Sequence, residues 1–366
     1  MSYLHEVDAM LDEFRSQHRY RELQTHQAGG AIDFSSNDYL GLATDPQVLQ
    51  AFHHATRVGS GGARLLGGRH REHSLLEEEI AAWLGRERAL LFSSGYLAAL
   101  GAVPVLARTV DAVYSDALNH ASLIDGVRMA ASERVVYAHA NVPPVAERAR
   151  RSLIVTESIF SMDGDAIDVA ALFAGLGDDD VLLLDEAHAL GVVGLEGAGL
   201  ARSIDDSRLV VMGTLSKSFG AQGGFIAGPA SVIELLVNAA RTFIFDTALP
   251  PALALAARVA LVAIRRGDDR RRRLHDNVAF LRSGLQALDL PVFSNPSPIV
   301  PVVLGSEERA MRVSEALLKK KLYAPAVRPP TVPEGSSRLR CSLRSDHVLE
   351  QIDLLVRGIA ECIAIS

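Results

Sequence analysis

VLLLDEAHALGVVG (181–194) and RLVVMGTLSKSFGAQGG (208–224) decide how this chain folds. Each opens on a continuous apolar run too short for a core helix and ends abruptly in polar or small residues. That is the pattern of a strand buried on both faces of a parallel sheet. The same pattern recurs outward from these two stretches, in ALLFSSG (89–95), DAVYSD (111–116), RVVYAHA (134–140), SLIVTESIF (152–160) and GGFIAG (223–228), with helical stretches between. The alternation predicts an α/β core around a mostly parallel sheet. Ligands of open α/β sheets sit beyond the carboxyl ends of the strands. The residues that end these runs are Ser94 with Gly95, Glu157, Asp185 with His188, and Thr214 with Lys217.

Lys217 stands out by composition. Of 37 lysines and arginines only four are lysine, and the other three form the run Lys319, Lys320 and Lys321. Arginine stays protonated and forms no imine, whereas a buried lysine can serve as nucleophile or base. An arginine-rich genome explains the same count, so the neighbours of Lys217 decide. Asp185 ends a buried strand 32 residues earlier, where a carboxylate could keep a cationic ring nitrogen protonated. Thr214 and Ser216 offer hydroxyls beside the lysine. Ser94, Gly95 and Tyr96 lie between a strand and a helix, where free backbone N–H groups and the helix dipole attract phosphate. An amine, an acid and a phosphate cradle at successive strand ends are the requirements of pyridoxal phosphate. His120 follows a strand and precedes a helix; it reads either as an imidazole over such a ring or as a surface residue at a helix start. The glycine cluster 59–68 reads as tight turns. The tetrapeptide DEAH also occurs in nucleic-acid helicases, but no lysine precedes Lys217, so a G-x-x-x-x-G-K-[ST] loop is missing and that reading fails.

The 366 residues, 48% hydrophobic, suffice for a large core and two domains. A net charge of -7 argues against a general nucleic-acid partner. Cys341 and Cys362 are too few for a disulfide framework and lack zinc-ligand spacing, so no metal site and a reducing, cytoplasmic setting are expected. The start MSYLHEVDAMLDEF reads as an amphipathic helix, not a signal peptide. The apolar stretch 251–264 is too short to span a membrane, and no membrane segment is expected. The expected organisation is an N-terminal helix and connecting segment (1–45), a large domain (46–260) and a smaller α/β domain (261–366). The arginine run in RRGDDRRRRL (265–274) is expected to be a solvated helix start.

With these residues in view, the chain resembles the α-oxoamine synthases, pyridoxal phosphate enzymes of fold type I, essentially end to end. The resemblance is carried by FSSNDYLGL (34–42), LLFSSGY (90–96), NHASLIDG (119–126), VTESIFSMDGD (155–165), LLDEAHALGVVG (183–194), TLSKSFGAQGG (214–224), FIFDTALPP (243–251) and RPPTVPEGSSRLRCSL (328–343). The last is similar to the biotin-pathway branch more than to the aminolevulinate synthases or aminoketobutyrate ligases. The resemblance implies that Lys217 carries the cofactor covalently, Asp185 pairs with its pyridine nitrogen and His120 stacks on its ring. Gly95, Tyr96, Ser161, His188 and Thr214 would complete the cofactor shell, His188 at the phenolic oxygen, and Thr247 would reach the phosphate of a neighbouring subunit in a homodimer. Asn37 and Glu157 match pocket-lining positions. Thr331 and Arg340 match substrate-binding positions, Arg340 as the carboxylate clamp, with Arg338 a competitor on the same strand. Near the N-terminus, Arg21 is preferred to Arg19 as a further substrate contact. Asp246, beside Thr247, would be unfavourable near a phosphate unless it is paired or turned away.

The implied reaction is a decarboxylative condensation of L-alanine with a pimeloyl thioester, on coenzyme A or an acyl-carrier protein, with Lys217 as base and His120 assisting. The alternatives are a sister enzyme using glycine and a short acyl-CoA, a non-catalytic subunit on the same fold, and an aminotransferase.

Overall fold

The computed structural model describes residues 3–21, 23, 30–293 and 295–365. Strands are β1 (Ile32–Asp33), β2 (Arg88–Phe92), β3 (Ala112–Asp116), β4 (Glu133–Tyr137), β5 (Ser152–Glu157), β6 (Val181–Asp185), β7 (Leu209–Thr214), β8 (Gly224–Gly228), β9 (Ile299–Gly305), β10 (Leu322–Tyr323), β11 (Ala326–Val327) and β12 (Ser337–Ser342). Helices are α1 (Tyr3–Ser16), α2 (Pro46–His53), α3 (Arg71–Leu84), α4 (Gly95–Leu106), α5 (Ala121–Arg128), α6 (Val169–Ala174), α7 (Ala230–Ala239), α8 (Arg241–Ile244), α9 (Pro251–Arg265), α10 (Asp268–Gln286), α11 (Glu307–Lys319) and α12 (Leu349–Ile365).

The seven-stranded sheet runs β2-β8-β7-β6-β5-β3-β4. It is parallel except for β8, which is antiparallel to both neighbours. Apolar layers cover both faces, which is why the strands read as unbroken apolar runs. Alternation sorts the side chains between them: Leu182, Leu184, Leu209 and Val211 join one core, and Leu153, Val155, Leu183, Val210 and Met212 join the other with α4 and α5. Continuing that period carries Glu157, Asp185 and Thr214 to the α4/α5 face at the carboxyl ends of β5, β6 and β7. The register agrees, with Glu157 opposite Asp185. Gly224 is required where β8 meets the start of α4, because a Cβ there would lie 2.5 Å from the backbone nitrogen of Gly95.

A second, antiparallel sheet, β11-β12-β9, packs with α11, and α10 packs on α12. β1 pairs in parallel with β10, tying the segment that leads to Asn37 and Tyr39 to this lobe. The arginine run is a helix start as expected, with Arg265, Arg266, Arg272 and Arg273 exposed, but Arg270 and Arg271 depart from the solvated reading. Arg271 is buried and donates to Ile264 O and Asp268, and Arg270 pairs with Asp45 at 2.6 Å and donates to Leu40 O. The run therefore fastens α10 to the loop before α2. The glycine cluster holds a kinked turn at 64–68, anchored by the buried ion pair of Arg64 with Glu77 at 3.0 Å.

Candidate active site

Asp185 is buried at the end of β6, and its Oδ1 accepts the N–H of Ala187 at 2.8 Å. Burial raises its pKa, opposed by the charge of Lys217 and by that hydrogen bond. Lys217 lies in the turn after β7, partly open to the cleft. Burial lowers its amine to about 8, against the pull of Asp185 and Glu157. Glu157, at the end of β5, accepts the backbone N–H of His120 at 2.5 Å and so fixes the residue that caps α5. Burial, and then the neighbouring Asp185, push Glu157 well above the usual carboxylate range.

His120 presents its ring to the cleft. Its Nδ1 accepts the N–H of Ser122 at 3.3 Å, which leaves the proton of the neutral ring on Nε2. Burial lowers its pKa, offset in part by Asp185. Tyr96 meets it edge-on, with centroids 6.3 Å apart, and donates its hydroxyl to Asp125. His188 is buried, and Tyr39 Oη lies 2.7 Å from its Nδ1. Burial, with Lys217 and Arg340 nearby, holds this imidazole well below its ordinary pKa.

α4 begins at Gly95, with Ser94 as N-cap accepting from Leu97 N at 3.2 Å. The N–H groups of Gly95 and Tyr96 fall in the first turn, where a helix has no carbonyl to offer them. Thr214 abuts this turn: a Cβ on Gly95 would lie 3.3 Å from its Cβ and Oγ1. Thr214 Oγ1 also lies 2.7 Å from Ser216 Oγ.

Across the cleft, Arg340 is buried on β12. Its Nε donates to Ser161 O at 2.6 Å, and its Nη1 to Asn37 Oδ1 at 3.1 Å and Ser342 Oγ at 2.8 Å. Among the described residues no carboxylate pairs with it. Arg338, two positions earlier, is instead engaged by Asp163. Asn37 Oδ1 lies 3.2 Å from Tyr39 Oη, which links the guanidinium to His188 through two side chains.

Lys217, Asp185, Glu157, His120, His188, Thr214, Gly95, Asn37, Arg340 and the backbone of Ser161 thus converge on one cleft. Thr331, Thr247 and Arg21 are exposed. Thr331 donates its N–H to Arg328 O. Thr247 forms an isolated bridge with Ala63, and Asp246 accepts the hydroxyl of Ser93. Arg21 lines a separate cleft of about 480 Å³ with Tyr20, Glu315, Tyr323 and Arg328, whereas Arg19 is held by Glu307 and Glu334. The sequence reading did not single out Tyr39. It lies within FSSNDYLGL (34–42), but its partner His188 stands 149 positions away, and nothing in that motif marks the contact.

A buried carboxylate, a lysine of lowered pKa and an open helix N-terminus at successive ends of a parallel sheet define a class. The chain matches the family "Aminotransferase class I and II" over residues 30–359 and belongs to it. Within that family it falls among the 8-amino-7-oxononanoate synthases. That of Anaeromyxobacter dehalogenans is 46% identical over 348 residues, covering 91% of this chain and 87% of the relative. The solved 8-amino-7-oxononanoate synthase of Francisella tularensis is 29% identical, covers 92% of this chain and 98% of its own, and superposes with a TM-score of 0.79. Serine palmitoyltransferase of S. paucimobilis, solved with a bound PLP–myriocin aldimine, is 26% identical over the whole of both chains, with a TM-score of 0.87.

Proposed function

We propose that this chain condenses L-alanine with a pimeloyl thioester, giving 8-amino-7-oxononanoate, carbon dioxide and the free carrier thiol, as a step toward biotin. The observation that carries the reading is the meeting of Lys217, Asp185, His188 and His120 in one cleft, faced by a buried Arg340 with no carboxylate partner among the described residues. The residues fit pyridoxal phosphate. Asp185 is a buried acid suited to a ring nitrogen, and Gly95 leaves the first turn of α4 open beside the hydroxyl of Thr214.

When bound, pyridoxal phosphate supplies a cationic ring that accepts the electron pair left at the amino acid's Cα when a bond there breaks. Asp185 keeps the proton on the ring nitrogen. The N–H groups of Gly95 and Tyr96, with Thr214, hold the phosphate, and Thr247 of a second copy would add a hydroxyl there. His188 is neutral, its ring is positioned by Tyr39 Oη 2.7 Å from Nδ1, and its Nε2 would face the ring oxygen. Arg340 orients alanine by its carboxylate, its guanidinium already set by Ser161 O and Asn37. Lys217, its amine lowered to about 8 by burial, takes the Cα proton on Nζ. His120 donates from Nε2 to the thioester oxygen as the acyl group is transferred.

The homodimer is part of the proposal. It is supported by the exposure of Thr247 and by the exposed apolar side chains of Phe245, Leu66 and Met129 on the flank that carries it. A division into a large and a smaller C-terminal domain is also part of it, supported by the packing of α9 on α2 and α3 and of α10 on α12; since α9 runs unbroken to Arg265, the change of domain falls between α9 and α10, a few residues after the expected 260/261. Arg21 and Thr331 are proposed to meet the acyl substrate, on coenzyme A or a carrier protein. Among the described residues no helix is long and apolar enough to cross a membrane, and two buried free thiols suit a cytoplasmic site. The test is Lys217→Ala in the purified protein. It should abolish borohydride fixation of the cofactor and all turnover, and an active variant sinks the reading.

A further inference from the structure

Asp246 places a negative charge beside Ser93, just ahead of the end of α4 that the proposed phosphate site uses. The segment carrying it packs along the first turns of that helix, with Thr242 Oγ1 donating to Leu97 O at 2.7 Å. Asp246 itself accepts from the hydroxyl of Ser93, the residue just before the N-cap Ser94. The hydrogen bond holds the carboxylate at Ser93, two residues before Gly95, where the helix begins. Arg108 and Arg241 line the same cleft as Asp246, but among the described residues it forms no ion pair. An anion at a helix N-terminus stabilises the helix. The same field attracts a phosphate, and two anions in one field repel each other.

We propose that Asp246 is an internal competitor of the cofactor phosphate: it steadies the start of α4 in the cofactor-free chain and lowers that chain's affinity for pyridoxal phosphate. The inference rests on the phosphate site proposed above and assigns Asp246 a role opposite in sign to that of Thr247. Asn in its place keeps an oxygen acceptor for Ser93 and removes only the charge, so geometry and charge can be separated.

The experiment uses cofactor-stripped full-length wild type, Asp246→Asn and Ser93→Ala. Each is titrated with pyridoxal phosphate and, separately, with pyridoxal, which has no phosphate, and each is melted without ligand. Asp246→Asn should bind pyridoxal phosphate on the order of tenfold more tightly, bind pyridoxal as wild type does, and melt about 1–2 °C lower without ligand. Ser93→Ala keeps the charge but frees it from its anchor, and should gain clearly less in pyridoxal phosphate affinity than Asp246→Asn. Unchanged or weakened binding of pyridoxal phosphate by Asp246→Asn, or an equal gain for pyridoxal, overturns the inference while the cofactor assignment stands. Failure of the wild type to bind pyridoxal phosphate at all overturns the cofactor assignment and this inference with it.

Discussion

Replacing Arg340 by Met separates a substrate clamp from a structural arginine. The guanidinium is buried, donates to Ser161 O, Asn37 and Ser342, and has no carboxylate partner among the described residues. Met preserves most of the volume, and three hydrogen bonds are lost. Removing a buried charge that lacks a counter-ion offsets that loss, so stability should change by no more than about 1 kcal/mol. Alanine, in contrast, loses a charge-assisted and partly preorganised pair worth about 3 kcal/mol. That is on the order of a hundredfold in alanine affinity. Arg338→Met is the control, because its side chain is already engaged by Asp163. It should cost stability and leave alanine binding intact. The assay is titration of the cofactor-loaded protein with L-alanine, followed by its absorbance, beside a denaturant melt of each variant. The clamp assignment is wrong if Arg340→Met binds alanine within about threefold of wild type, or if Arg338→Met shows the larger loss.

Three further outcomes follow from the same geometry. Because burial lowers the Lys217 amine from 10.5 to about 8, kcat limited by proton removal should rise with pH through about 8. In the cofactor-free protein the unfolded chain binds the extra proton between about 8 and 10.5, so wild type should gain stability relative to Lys217→Met across that window; a flat difference contradicts the assignment. Tyr39→Phe removes the 2.7 Å contact to His188 and should lower cofactor affinity about tenfold while costing about 1 kcal/mol in a denaturant melt. Arg64→Ala strands buried Glu77, which also accepts Leu91 N at 2.9 Å, and should destabilise the fold by about 3–5 kcal/mol, measured by urea unfolding.

The parallel core was legible because each strand is buried on both faces and reads as an unbroken apolar run. The alternation that sends Leu183 and Val155 to one layer also carries Asp185 and Glu157 to the same mouth, so half of the cleft follows from strand period alone. Other features were not legible. GGFIAG has the composition of a parallel strand, and its reversal as β8 is signalled only by the connection 215–223, too short for a parallel crossover. Arg338 and Arg340 share a face of β12, and only the position of Asp163 separates them. The arginines after Gly267 looked solvated, yet Arg270 and Arg271 cap backbone carbonyls and pair with Asp45 and Asp268. For Arg338 and Arg270 a contact between segments far apart in the chain, with Asp163 and Asp45, decides the outcome, and local pattern does not carry it.

The central claim is tested most directly by incubating the purified, cofactor-loaded protein with carboxyl-labelled L-alanine and pimeloyl-CoA, following labelled carbon dioxide and the mass of the organic product. The account predicts one carbon dioxide released per thiol freed and the mass of 8-amino-7-oxononanoate. Formation of pyruvate without carbon dioxide, or turnover only with glycine and a short acyl-CoA, would contradict it.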